Sequence, residues 1–81
     1  MDETIRKVLG EYARIGVDMA GVERDADLYT LGLTSHASVN VMLGLEDAFG
    51  VEFPDQLLRK DTFRSIASIA DAVSGLGVAK A

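Results

Sequence analysis

With 81 residues, 48% of them hydrophobic, and only five aromatic side chains, the chain can bury one modest aliphatic core, so a single domain over 1–81 is expected. Thirteen acids outnumber eight scattered Lys and Arg for a net charge of −5, which argues against nucleic acid and points to partners with basic surfaces. With no cysteine and a single histidine, disulfides and a self-contained zinc site are excluded, and any thiol chemistry must come from an attached group.

Met1-Asp2-Glu3-Thr4 lacks the basic and apolar regions of a signal peptide, and no apolar run approaches the ~18 residues that span a bilayer. A cytoplasmic location is therefore expected. Ile5, Val8, Leu9, Tyr12 and Ile15 recur at the spacing of one helical face and predict a first helix, started by Asp2 or Thr4 and stopped by a left-handed Gly16. Arg6, Lys7, Glu11 and Arg14 form its solvated side. From 17 to 34 no period lasts. A connection of that length in a small domain is unusual unless it is packed down or functional; Val17, Val22, Leu28, Leu31 and Leu33 are its candidate anchors, and it is expected to cross the bundle.

The loop then runs into an amphipathic segment from Ala37 to Phe49, a predicted second helix with Ser35 at its start. Ser35 at its start can cap a free backbone N–H, and a phosphate esterified to its hydroxyl would lie in the positive field of the helix N-terminus. Val39, Met42, Leu45 and Phe49 are read as the core stripe. His36, Asn40, Leu43 and Asp47 fall in a sector about 100° away, which leaves Leu43 in water beside Ser35 as a candidate partner contact. Gly44 inside the helix costs about 1 kcal/mol relative to alanine; close packing, a ligand approaching the backbone, or tolerated drift would each account for it. Gly50-Val51-Glu52-Phe53-Pro54-Asp55 breaks the helix, and Pro54 suits the first turn of a short third helix over Gln56, Leu57 and Leu58. Asp61 or Thr62 is expected to cap a last helix that buries Phe63, Ile66, Ala67, Ile69, Ala70 and Val73, is ended by Gly75 and Gly77, and leaves a frayed tail over 78–81.

Ser35 and His36 raise the question of catalysis. Adjacent helical residues point about 100° apart, so His36 is poorly placed to act as a base for Ser35, and there is no second histidine to replace it. Small helical domains also offer little concavity, and Gly32 alone is no phosphate-binding loop. Autonomous catalysis is not expected.

The approach Asp27-Leu28-Tyr29-Thr30-Leu31-Gly32, the turn Leu31-Gly32-Leu33-Thr34-Ser35, the run Glu46-Asp47-Ala48-Phe49-Gly50-Val51-Glu52-Phe53-Pro54-Asp55 and the Thr62 start of the last helix occur in one order and spacing. Over Ile5 to Leu76 this pattern resembles the acyl carrier protein family. The resemblance implies an all-α fold: an acyl-carrier-protein-like four-helix bundle with a long first loop and a short third helix, forming a single carrier domain and acting as a monomer. It implies that Ser35 carries 4'-phosphopantetheine, placed there from coenzyme A by a phosphopantetheinyl transferase with Mg²⁺. The arm's thiol would hold cargo as a thioester and shuttle it between a loading ligase and downstream transferases or synthases of lipid, fatty acid or secondary-metabolite biosynthesis. Thr34, His36, Asn40, Leu43, Glu46, Asp47, Glu52 and Asp55 would meet basic patches on those enzymes.

The departures from the family bear on cargo. Thr34 stands where the family usually has Asp and His36 where it has Leu, while Ala37, Asn40 and Ala48 occupy positions often acidic in fatty-acid carriers. The variant Thr34-Ser35-His36 is similar to small stand-alone carriers, including some loaded with amino acids by free-standing, synthetase-like ligases. Acyl and aminoacyl cargo both fit the pattern. The alternative from another class is a helical interaction module in which Ser35 is only a cap.

Overall fold

The computed structural model describes residues 2–13 and 15–76. The expected stop at Gly77, the tail 78–81 and the solvated Arg14 lie outside them. Among the described residues there are three α-helices and no strand: α1 (Asp2–Val8), α2 (Ser35–Phe49) and α3 (Ile66–Gly75).

The α1 helix runs directly into a π-turn, Leu9–Ala13. The wider turn changes the register of the apolar face. Ile5, Val8 and Leu9 enter the core as expected, but Ala13 takes the inward position and Tyr12 is left 40% exposed. Ile15 is already outside the helical run, and Gly16 does not adopt a positive φ.

The long connection is packed down. Its core anchors are Val22, Leu28, Leu33 and also Met19, which sits on a single 3-10 turn, Met19–Gly21, capped by the Asp18 carboxylate accepting from Ala20 N at 3.0 Å. Val17, expected among the anchors, is 44% exposed. The Arg6 guanidinium donates to the carbonyls of both Met19 and Val22 and so ties the loop to α1. Two backbone bonds tie it to the far end of the chain: Leu28 N to Arg64 O at 2.6 Å and Ala67 N to Arg24 O at 2.9 Å. Leu28 itself is fully buried, in one core with Ile5, Leu9, Val41, Leu45, Ile66, Ile69 and Val73. Burying each such side chain is worth about 1.5–3 kcal/mol, which offsets the entropy of ordering a connection without regular structure.

In α2 the core stripe is Val41, Gly44 and Leu45, an i, i+3, i+4 set, with Met42 and Phe49 partly buried at its flank. Val39, read as core, is 52% exposed. Val39 and Val41 lie about 200° apart on a helix, so only one can face the bundle. The choice falls to Val41 because Gly44, on the same face, lets α2 approach α1 closely. Gly50 ends the helix in the left-handed conformation at φ 65°, its N–H donating to Glu46 O.

The short third helix is replaced by two separate 3-10 turns, Asp55–Leu57 and Lys60–Phe63. Between them Leu58 (φ −83°, ψ 64°) and Arg59 (φ −130°, ψ 153°) leave helical space. A continuous helix would set Leu57 and Phe63 about 240° apart. Breaking it lets both pack on the core. Because Lys60–Phe63 closes its own turn, neither Asp61 nor Thr62 caps α3. Asp61 pairs with Arg64 at 2.7 Å, and Ser65 is the cap. Ser65 Oγ accepts from Ser68 N at 3.1 Å and Ser68 Oγ accepts from Ser65 N at 3.0 Å, a reciprocal capping box. From there Ile66, Ile69, Ala70 and Val73 are buried as expected, and Phe63 stacks on Phe53 with ring centroids 5.8 Å apart.

Candidate functional site

The approach to Ser35 is a built turn. The Asp27 carboxylate accepts from Tyr29 N at 2.9 Å and more weakly from Thr30 N at 3.4 Å, which starts the turn. Gly32 N then donates to Tyr29 O at 3.2 Å and Leu33 N to Leu28 O at 2.9 Å, which close it. Gly32 has φ 122°, a conformation that L side chains avoid, so glycine is required there by the backbone. Leu33 then plugs into the core and fixes where the chain emerges.

Thr34, not Ser35, is the N-cap of α2. It is extended (φ −109°, ψ 164°), and its Oγ1 accepts from Ala37 N at 3.0 Å. Ser35 is the first residue of the helix, one step past the position where a hydroxyl can reach the free N–H groups. Its carbonyl accepts from Ser38 Oγ at 2.7 Å, but its own hydroxyl is exposed and has no hydrogen-bond partner among the described residues. Two neighbouring hydroxyls thus divide the labour, one holding the helix start and the other left free at its positive end.

Ser35 also stands on the lip of a groove of about 320 Å³. One wall is α2, through Ser35, Ser38, Val39 and Met42, and the other is the broken segment 58–63. Tyr29 contributes from the loop, with Lys60 Nζ 5.0 Å above its ring centroid. Burial pushes the Tyr29 phenol above its ordinary pKa, an effect opposed by its hydrogen bond with Ser38. Sequence reasoning missed Tyr29, Val39, Arg59 and Lys60 as neighbours of Ser35. Only the consecutive cations Arg59 and Lys60, beside acids in an acidic chain, offered a signal.

The residues expected to meet partners differ in exposure and in hydrogen bonding. His36, Asn40, Leu43 and Asp47 are all exposed along α2, Leu43 at 52%, and Glu52 and Asp55 are exposed beyond it. Thr34 and Glu46 are committed elsewhere: Thr34 to the cap, and Glu46 through Oε2, which accepts from Phe53 N at 2.7 Å and so positions the Phe53–Phe63 stack behind the groove. Ser35 and His36 are not hydrogen-bonded to one another. Among the described residues no group of three or more His, Asp or Glu could hold a metal, and no helix is long and apolar enough to cross a membrane.

A family model described as a phosphopantetheine attachment site matches residues 3–73. The chain is 45% identical over 73 residues to the aminoacyl carrier protein of Agrobacterium fabrum, a match covering 90% of this chain and 88% of that one. It is 33% identical over 79 residues to the acyl carrier protein of Zymomonas mobilis, covering 98% and 94%. Its fold is similar, with a TM-score of 0.88 and 44% identity, to a chain in the crystal structure of an engineered Bradyrhizobium japonicum glycine:carrier-protein ligase complexed with carrier protein from Agrobacterium tumefaciens and AMP, covering 91% of this chain and 99% of that one. A solution structure of an Agrobacterium tumefaciens protein is also similar, with a TM-score of 0.73 and 44% identity over 91% of this chain and 89% of that one. With a family match that spans nearly the whole described fold and a relative 45% identical over most of both chains, the chain belongs to the phosphopantetheine-attachment family of carrier proteins.

Proposed function

We propose that Ser35 bears 4'-phosphopantetheine, transferred from coenzyme A by a phosphopantetheinyl transferase, and that the protein carries aminoacyl groups loaded by an amino acid:carrier-protein ligase. The observation that carries this reading is the exposed, unpartnered Ser35 hydroxyl at the first position of α2, with helix capping discharged by Thr34. The residues fit the group. A phosphodiester at Ser35 leaves the Thr34 cap intact and lies at the positive end of a helix of 15 residues. When attached, the group supplies a thiol on a flexible tether, to which cargo is joined as a thioester.

The chain's own residues present and steer; they perform no bond chemistry on the cargo. Asp27, Gly32 and Leu33 fix the height at which Ser35 leaves the fold, and a tether rooted there raises the local concentration of cargo at a docked partner. His36, Asn40, Leu43 and Asp47, with Glu52 and Asp55 beyond them, form the docking face. Its acids govern encounter and selectivity more than tightness, as suits a carrier that must release each partner. Thr34 and Glu46 serve that face indirectly, by holding α2 and the Phe53 turn. The reading also places the chain in the cytoplasm, with the coenzyme A and ATP-dependent ligases it needs.

Aminoacyl cargo is favoured by the 45% identity to an aminoacyl carrier protein, by the likeness to a chain in the glycine:carrier-protein ligase complex, and by Thr34 and His36 flanking the serine. Acyl cargo is the second reading, supported by 33% identity to an acyl carrier protein. Intact-mass measurement after incubation with coenzyme A and a broad-specificity transferase tests the attachment. The phosphopantetheine increment is expected on the wild type and not on Ser35→Ala, and an unmodified wild type rejects the reading. Incubating the modified protein with ATP, a glycine:carrier-protein ligase and glycine, or in parallel with an acyl ligase and short fatty acids, then separates the two cargoes by the mass gained.

A further inference from the structure

The groove beside Ser35 carries an unexpected charge. The chain has five more acids than bases, yet the loop that faces α2 across the groove presents two consecutive cations, Arg59 and Lys60. Neither forms an ion pair among the described residues. The ion pairs among the described residues are Arg24 with Asp2 and Arg64 with Asp61, so the acid next to Lys60 is already taken. Asp27, below Tyr29, spends its carboxylate on the turn backbone. Lys60 is held over the Tyr29 ring at 5.0 Å, an arrangement that restrains the side chain but leaves its N–H groups free to donate. Below the cations the floor is apolar, formed by Val39, Met42 and Phe63. A rim of cations without ion-pair partners over an apolar floor, opening at a serine, is complementary to a chain whose first group is an anion and whose remainder is uncharged.

We infer that Arg59 and Lys60 are the counter-charges for the phosphodiester of the Ser35-linked arm, seating its near end along the groove between α2 and residues 58–63 rather than free in solvent. The inference rests on the attachment proposed above and adds a resting position to it. A docking partner would then have to draw the arm out, so the two cations would set how readily cargo is released to a partner as well as where it waits.

Amide NMR spectra of the unmodified and phosphopantetheine-bearing protein test this, recorded for the wild type, for Arg59→Gln/Lys60→Gln, and for the charge-keeping pair Arg59→Lys/Lys60→Arg. Intact mass is measured on every sample. In the wild type the shifts caused by modification should reach beyond 34–38 to Tyr29, Met42, Leu58 and Phe63, and the phosphorus resonance should be broadened by restraint of the diester. In the glutamine variant the shifts should retreat to 34–38 and the phosphorus line should sharpen, with both effects reversed in the charge-keeping pair. Wild-type shifts confined to 34–38, or a glutamine variant indistinguishable from wild type, overturn the inference while the mass increment leaves the attachment standing. A missing increment on the wild type overturns both.

Discussion

Tyr12 lies so close over Gly44 that a Cβ placed on that glycine would sit 2.8 Å from its Cδ1 and Cε1, and 2.9 Å from Val8 Cγ1. Of the three explanations a mid-helix glycine admits, close packing of α2 on the first helix is the one realised. Gly44→Ala should therefore lower stability even though alanine is the better helix former. Overpacking costs about 1–3 kcal/mol against a propensity gain of about 1 kcal/mol. The half-exposed Tyr12 ring can swing aside, but Val8 is buried and β-branched and cannot, so a net loss of about 1 kcal/mol is expected in urea unfolding. In a Tyr12→Ala background the loss should shrink. An unchanged or raised urea midpoint for Gly44→Ala alone would contradict the packing account.

Thr34 and Ser35 should separate cleanly when each hydroxyl is removed. Thr34→Ala strips the acceptor of Ala37 N and should cost about 1 kcal/mol of stability, while the protein still accepts phosphopantetheine. Ser35→Ala should stay within about 0.5 kcal/mol of wild type, because its hydroxyl has no hydrogen-bond partner among the described residues, yet lose modification entirely. Thermal unfolding paired with intact mass reads both quantities. If Ser35→Ala were as destabilised as Thr34→Ala, the serine would be a helix-starting residue after all.

What could be read from the sequence was whatever a period or a glycine enforces over several residues. The α3 stripe Ile66, Ile69, Ala70, Val73, the break at Gly50 and the exposed row His36, Asn40, Leu43, Asp47 all came through. The position of Ser35 was legible through its flanking pattern. The misreadings have local causes. A π-turn after Val8 moved Tyr12 outward, because hydrophobic spacing assumes 3.6 residues per turn throughout. In α2, Val39 and Val41 head rival stripes of similar apolar character, and the closeness allowed by Gly44 settles which one is buried. Thr34 and Ser35 are adjacent residues that both cap well, so composition could not rank them. The groove was out of reach, since it joins Tyr29, α2 and residues 58–63 through tertiary packing alone.

Gly32 makes a test of backbone conformation free of crowding. An added Cβ would meet nothing nearer than Ile15 Cγ2 at 3.8 Å, an ordinary contact, but φ 122° is strained for any L residue. Gly32→Ala should thus cost about 1–3 kcal/mol. Because the turn sets the height of Ser35, the variant should also be modified more slowly by the transferase. D-alanine introduced at position 32 by chemical synthesis favours positive φ and should recover most of the stability. Equal losses from the two enantiomers would move the cause from the backbone to a clash.

The pair Asp2–Arg24 fastens the start of α1 to the long loop, with Arg24 Nε 2.7 Å from Asp2 Oδ2 and Nη2 3.1 Å from Oδ1. The hydrogen bond from Arg24 holds the Asp2 carboxyl below its ordinary pKa of 3.8. A carboxyl whose pKa is depressed on folding binds its proton more readily in the unfolded chain, so its contribution is complete above the unfolded value and fades as pH falls through the folded one. The window is therefore acidic, beginning near pH 4 and extending below it; around neutrality the contribution is complete and does not change with pH. Arg24 is exposed and Asp2 partly so, and the contribution is therefore small and screened by salt. Asp2→Asn should flatten part of the acid limb of a plot of urea midpoint against pH, and 0.5 M NaCl should flatten the same part in the wild type. An acid limb equally steep in Asp2→Asn and wild type would show that other carboxylates carry it.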